Sequence, residues 1–191
     1  MPSDSTPPPA IDRVVIGVAG RIGAGKTSAA TYLSSKYGFQ YLRYSQVLSD
    51  WLAKDPERKA RLQDIGWEVM SGGMQSELNS RLVAQIVPGA NVAVDGLRHP
   101  IDYESLKKHF ASSFHLLYID SPRTERWARL KAQGRYSSLE LFEAADAHAV
   151  EQSIELLNES AAVVLQNSGS LQDLYASLDE VIRKIRSEGH A

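Results

Sequence analysis

Short apolar runs alternate with amphipathic stretches along most of this chain. Val14-Val15-Ile16-Gly17-Val18-Ala19 is apolar at every position and rich in β-branched residues, the pattern of a strand buried on both faces. Behind it, Thr27 to Tyr37 carries Ala29, Ala30 and Leu33 at helical spacing before Gly38 stops the helix. Phe39 to Tyr44 reads as a second strand, with Ser45 capping a helix that runs to about Lys54 and is broken by Asp55-Pro56. Arg58 to Met70 reads as a helix and Gly72-Gly73 as a hinge. Leu78, Leu82, Val83 and Ile86 form one stripe over a helix from Gln75 to Val87. A third strand follows at Asn91 to Asp95, then a helix over 101–111 with Pro100 near its first position. Phe114 to Asp120 gives the fourth strand, and Ser121-Pro122 opens an arginine-rich helix. Residues 138–158 read as helical with a break, and Ala161 to Gln166 is the fifth strand. The turn Asn167-Ser168-Gly169 then precedes a final helix.

Five short apolar strands alternating with helices predict an α/β fold of three layers, a five-stranded parallel sheet covered on both faces. Ligands of such sheets bind at the carboxyl ends of the strands, and Gly20, Ser45, Asp95, Asp120 and Asn167 all fall there. The expected organisation is one domain over 13–188, preceded by a proline-rich, disordered tail over 1–12.

Between the first strand and helix stands Gly20-Arg21-Ile22-Gly23-Ala24-Gly25-Lys26-Thr27, a G-x-x-x-x-G-K-T run. A nucleotide polyphosphate packs several negative charges into a small volume, and closely spaced backbone N–H groups wrap it best. The glycines permit that wrap, and the following helix presents its unpaired N–H groups and positive dipole end. The run from Gly20 through Ser28 is therefore the expected ATP-binding loop, with Lys26 on the β- and γ-phosphates. Thr27 offers a hydroxyl to Mg²⁺, which prefers oxygen ligands.

Composition narrows the classes. The formal net charge of −2 gives no global pull toward nucleic acid or an anionic membrane, so a small-molecule nucleotide substrate is expected. The absence of cysteine excludes disulfides, thiolate metal sites and cysteine nucleophiles. No apolar stretch has the length of a membrane span, and the expected location is cytoplasmic. Oligomeric state is not legible.

A phosphate loop serves kinases, GTPases, motors and assembly ATPases alike, so the other strand ends discriminate. Asp95 ends a Val-Ala-Val strand, where a carboxylate holds the Mg²⁺ shell directly or through water. No Glu follows to activate water and no Asn-Lys-x-Asp guanine signature is present, which weakens the motor and GTPase readings. Arg98, three residues further on, is a planar cationic fork suited to an acceptor phosphate.

These residues resemble the nucleoside monophosphate kinases and dephospho-CoA kinases of the P-loop superfamily, over most of residues 13–185. The resemblance implies an acceptor-binding segment over 44–88, an Asp-Gly-x-x-Arg-like turn at Asp95 to Arg98, and an arginine-bearing lid within 123–150. In the lid it implies Arg129 and Arg135 as catalytic cations beside Lys26 and Arg98, with Arg123 and Arg126 left to the helix surface. It also implies an adenine contact at Asn167. Ile22 is most similar to the dephospho-CoA kinase loop, whereas Tyr44-Ser45 lacks that family's strand-two aspartate and is similar to kinases of deoxynucleoside monophosphates. The expected activity is transfer of the ATP γ-phosphoryl group to a (deoxy)nucleoside monophosphate. A hydroxyl acceptor, or a nucleotide-switch ATPase without acceptor, are the alternatives. Tyr41 and Tyr44 read as core aromatics, His99 as a polar contact, and Glu140, Glu143, Asp146, His148 and Glu151 as part of an acidic, solvated helix rather than a metal site.

Overall fold

A computed structural model of the protein describes residues 13–53 and 74–188. The expected tail over 1–12, the helix Arg58 to Met70 and the Gly72-Gly73 hinge lie outside the described residues. Five strands form one parallel sheet: β1 (Val15–Ala19), β2 (Gln40–Arg43), β3 (Val92–Asp95), β4 (Phe114–Asp120) and β5 (Val163–Gln166). Their order is β2-β3-β1-β4-β5, so chain direction away from β1 reverses on its two sides and leaves a crevice at its carboxyl end. Register places Arg43 of β2 opposite Asp95 of β3, and Asp95 opposite Val18 of β1.

Eight α-helices among the described residues cover the sheet. They are α1 (Lys26–Tyr37), α2 (Tyr44–Ala53), α3 (Gln75–Ala84), α4 (Pro100–Phe110), α5 (Arg123–Ala132), α6 (Leu139–Asp146), α7 (Ala149–Glu159) and α8 (Leu171–Glu188). Two buried clusters fill the two faces. One joins Ile16, Val18, Leu117 and Ile119 to Leu33 of α1 and Leu178 and Ile182 of α8. The other joins Val15, Val94 and Leu116 to Val47, Leu82, Leu106 and Ile154 from α2, α3, α4 and α7. Strand residues therefore alternate between two cores, which is why these strands read as continuous apolar runs.

One local expectation changes. The chain turns from β2 straight into α2 at Tyr44, so Ser45 lies inside the first turn and does not cap it. The expected break in 138–158 divides it into α6 and α7, with Ser138 accepting from Leu141 N at 3.4 Å and His148 from Val150 N at 3.3 Å. Among the described residues no helix is long and apolar enough to cross a membrane.

Leu117 is fully buried where the central sheet meets α1 and α8. Leu117→Ala is expected to lower stability by about 2–5 kcal/mol through lost burial and a residual cavity, measured as the shift in a denaturant unfolding midpoint.

Candidate functional site

The loop after β1 is fixed by geometry that only glycine permits. Gly20 has φ 143°, and a Cβ there would lie 2.4 Å from the carbonyl oxygen of Ile119. Gly25, with φ 109°, leads into α1, and a Cβ there would meet the Asn167 amide at 2.6 Å. From the first turn of α1, Lys26 Nζ curls over the loop and donates to the carbonyls of Gly20 at 2.6 Å and Arg21 at 2.9 Å. Burial pushes the Lys26 ammonium down to about 8, Glu151 pulling it back up and Arg98 pushing it further down.

Thr27 and Asp95 come together as expected: the Thr27 hydroxyl donates to Asp95 Oδ2 at 2.8 Å. Asp95 is only 2% exposed, so its charge depends on the donors around it. Tyr41 packs against the core as expected and also donates its hydroxyl to the same oxygen at 2.9 Å. Burial first, then Asp95, pushes the Tyr41 phenol up to about 12. Arg43, which the sequence pattern did not single out, donates to Thr27 Oγ1 at 3.1 Å and has Nε 3.5 Å from Asp95 Oδ2. A hydroxyl and a carboxylate side by side at the loop are the hard oxygen donors that Mg²⁺ takes, so the residues fit that ion.

Arg98 stands beyond β3, half exposed, with Nη1 3.8 Å from Glu151 Oε1. Its backbone is anchored from below. Asp102, nearly fully buried, accepts from the N–H groups of Arg98 at 3.0 Å and His99 at 3.1 Å. The other Asp102 oxygen accepts from Gln75 and, at 3.2 Å, from Asn79, whose own side-chain oxygen accepts from the Tyr44 hydroxyl. This network ties α2 and α3 to the turn that carries Arg98. Burial pushes both the Asp102 carboxyl and the Tyr44 phenol up. His99 caps α4, accepting from Ile101 N at 3.1 Å.

The helix expected to be acidic and solvated is not so at two positions. Glu151 is buried and accepts from the loop amide of Ile22 at 2.7 Å. Asp146 is buried and takes both arms of Arg126, at 2.5 and 3.0 Å. Burial alone would raise the Asp146 carboxyl, yet Arg126 and Arg21 hold it below the usual carboxylate range. Arg126, expected on the helix surface, is buried, and it also donates to the Ile22 carbonyl at 3.1 Å. Arg21 reaches Asp146 at 3.2 Å and pairs with Glu155. The loop is thereby clamped to α5, α6 and α7. Nothing in the helical periodicity signals this, because the partners lie about 125 positions away from Arg21.

The lid arginines separate. Arg129 donates to Ser121 Oγ at 2.9 Å and to the Asn167 carbonyl at 2.8 Å, which ties it to the turn after β5. Arg135 is exposed beyond α5, and its guanidinium has no ion pair among the described residues. Arg123 pairs with Glu143 at 2.6 Å on the surface. Asn167, expected at adenine, is buried and spends its amide on the Ala24 carbonyl at 2.8 Å, behind the loop.

Residues 16–151 match a family model described as AAA domain. The chain is 26% identical over 178 residues to a UPF0200 protein of Pyrobaculum aerophilum, covering 90% of this chain and 98% of that protein. It is 26% identical over 192 residues to a dephospho-CoA kinase of Frankia casuarinae, covering 87% of this chain and 81% of that one. The solved shikimate kinase from Acinetobacter baumannii in complex with shikimate shares the fold at a TM-score of 0.55 and 16% identity, covering 90% of this chain and 94% of that one.

Two outcomes follow from the site geometry. An anion settling on the loop raises the Lys26 pKa, so near pH 9 ADP binding is expected to take up a proton, whereas at about pH 7 and below the ammonium is already formed. Calorimetry in buffers of different ionisation enthalpy measures this uptake, and Lys26→Met is expected to remove it. Asp146→Ala leaves Arg126 buried without its counter-charge and is expected to cost about 3–5 kcal/mol of folding stability, read by denaturant unfolding.

Proposed function

The chain belongs to the AAA domain family, within the P-loop NTPases, and we propose that it is an ATP-dependent kinase moving the γ-phosphoryl group of ATP to a (deoxy)nucleoside monophosphate. The observation that carries this reading is the arrangement at neighbouring strand ends. Lys26 curls over the loop, Thr27 beside it bonds Asp95 at the end of β3, and Arg98 stands three residues beyond Asp95 on a turn fixed by Asp102. One end of the crevice suits a donor polyphosphate and the other a second anion.

In the proposed reaction an oxygen of the acceptor phosphate attacks the γ-phosphorus in line. The bond from that phosphorus to the β–γ bridging oxygen breaks, and ADP leaves with the electron pair. An anionic phosphate oxygen is already a nucleophile and needs no carboxylate base, which agrees with Ser45 standing after β2. Lys26 neutralises charge on the β- and γ-phosphates, and Mg²⁺, where bound by Thr27 and Asp95, supplies further charge neutralisation there. Arg98 orients the acceptor phosphate as a fork. Arg135, unpaired by any acid among the described residues, is the better candidate for the lid cation. Arg129 is assigned to holding the turn at Asn167, and Asn167 to holding the back of the loop.

A second reading, transfer to a hydroxyl acceptor, is favoured by the similarity to the Frankia casuarinae dephospho-CoA kinase. ADP release measured against a panel of nucleoside and deoxynucleoside monophosphates and dephospho-CoA separates the two. Turnover only with dephospho-CoA removes the monophosphate reading, and hydrolysis independent of any acceptor removes both. With the active acceptor, Lys26→Ala is expected to lower kcat by about 10²-fold or more. Arg98→Ala is expected to raise the acceptor KM by about 10- to 100-fold with kcat little changed.

A further inference from the structure

We infer that Arg43 stands on the oxygens a metal ion at the loop requires, yields them when a cation loads, and then serves with Arg98 as a second ligand of the acceptor's anionic group. The acceptor half of this inference rests on the function proposed above; the metal half does not.

The argument begins with the Thr27 hydroxyl, which has one proton and two lone pairs. Its proton is committed to Asp95 Oδ2 at 2.8 Å, and its lone-pair side receives an N–H from Arg43 at 3.1 Å. A cation held by Thr27 and by the Asp95 carboxylate, directly or through water, would need the lone-pair side of the same hydroxyl and would bring a second positive charge against the same carboxylate. The guanidinium spans both, with Nε 3.5 Å from Asp95 Oδ2. Two cations cannot share that place, so one must leave.

Arg43 is the weaker holder. Its side chain is 47% exposed, its carboxylate contact is long, and exposed ion pairs contribute little. Asp95, by contrast, stays put. It is buried and retains the Thr27 and Tyr41 hydroxyls as donors when Arg43 departs.

The departing side chain has a specific neighbourhood. Arg43 is the last residue of β2, in register with Asp95 and directly ahead of α2. Arg98 follows the end of the adjacent strand β3. Arginines from two neighbouring strand ends thus flank the crevice on its acceptor side. A phosphate monoester offers enough acceptor oxygens for two guanidinium forks, whereas a neutral hydroxyl acceptor offers nothing for the second. Metal loading and acceptor affinity are therefore coupled through one side chain, which favours a metal–nucleotide complex binding ahead of the acceptor.

The test uses the full-length protein and ADP as the probe. ADP affinity is titrated against Mg²⁺, and the Mg²⁺ concentration giving half of the metal-dependent gain is compared between wild type, Arg43→Ala and Arg43→Gln. Removing the competing guanidinium is expected to lower that midpoint by roughly 2- to 5-fold, the range an exposed ion pair supports. A midpoint unchanged in both variants overturns the inference. With the monophosphate acceptor found by the panel, Arg43→Ala is expected to raise acceptor KM by about 10-fold while kcat changes by less than about 2-fold. A lowered midpoint with an unchanged acceptor KM overturns the acceptor half. A panel without a monophosphate acceptor removes the acceptor half together with the proposed function, while the ADP titration still decides the metal half.

Discussion

The Asp95 carboxylate is the constraint around which the crevice is organised. A charge with 2% exposure at the end of a central strand is costly unless donors surround it. Three side chains converge on one of its oxygens: Thr27 from the first turn of α1, Tyr41 from inside β2 and Arg43 from the end of that strand. Satisfying Asp95 therefore ties the start of α1 to two strands at once. The carboxylate that can serve a metal ion also brings the loop helix and the sheet edge into register.

A second set of buried charges performs the corresponding task on the other side of the loop. Arg126 and Asp146 form a two-armed pair, Arg21 leans on Asp146, and Glu151 takes the Ile22 amide. The loop is thus held by charge pairs on one side and by the Asn167 amide behind. Contacts on both sides restrict the loop backbone, which lowers the ordering cost of binding.

The fold was legible because its signal is local. Five apolar runs, the glycine loop and the turn residues each declare themselves within a few positions, and the strand-to-strand alternation forces a parallel sheet. The Thr27–Asp95 meeting was legible too, since the helix that follows β1 starts beside the carboxyl end of the neighbouring strand β3. Arg43, Glu151, Asp146 and Arg126 were not. Each looks like an ordinary surface charge in its own helix or strand, and only contacts with distant parts of the chain, from Arg43 to Thr27 and Asp95 and from Glu151 to Ile22, give it a role. The bond from Asn167 to Ala24 was hidden for a related reason: a turn asparagine after a strand signals a polar contact without saying to what.

The bond from the Asn167 amide to the Ala24 carbonyl has a consequence for the growing chain. The eight residues from Gly20 to Thr27 are complete in sequence long before Asn167 emerges, yet their back wall is supplied by a residue 143 positions later. Asp146 and Glu151 arrive almost as late. A nascent chain thus carries the entire glycine loop before the supports that shape it have been made. Competence to grip a polyphosphate waits on residues made well after the loop itself. The most recognisable stretch of the sequence is among the last to acquire its working form.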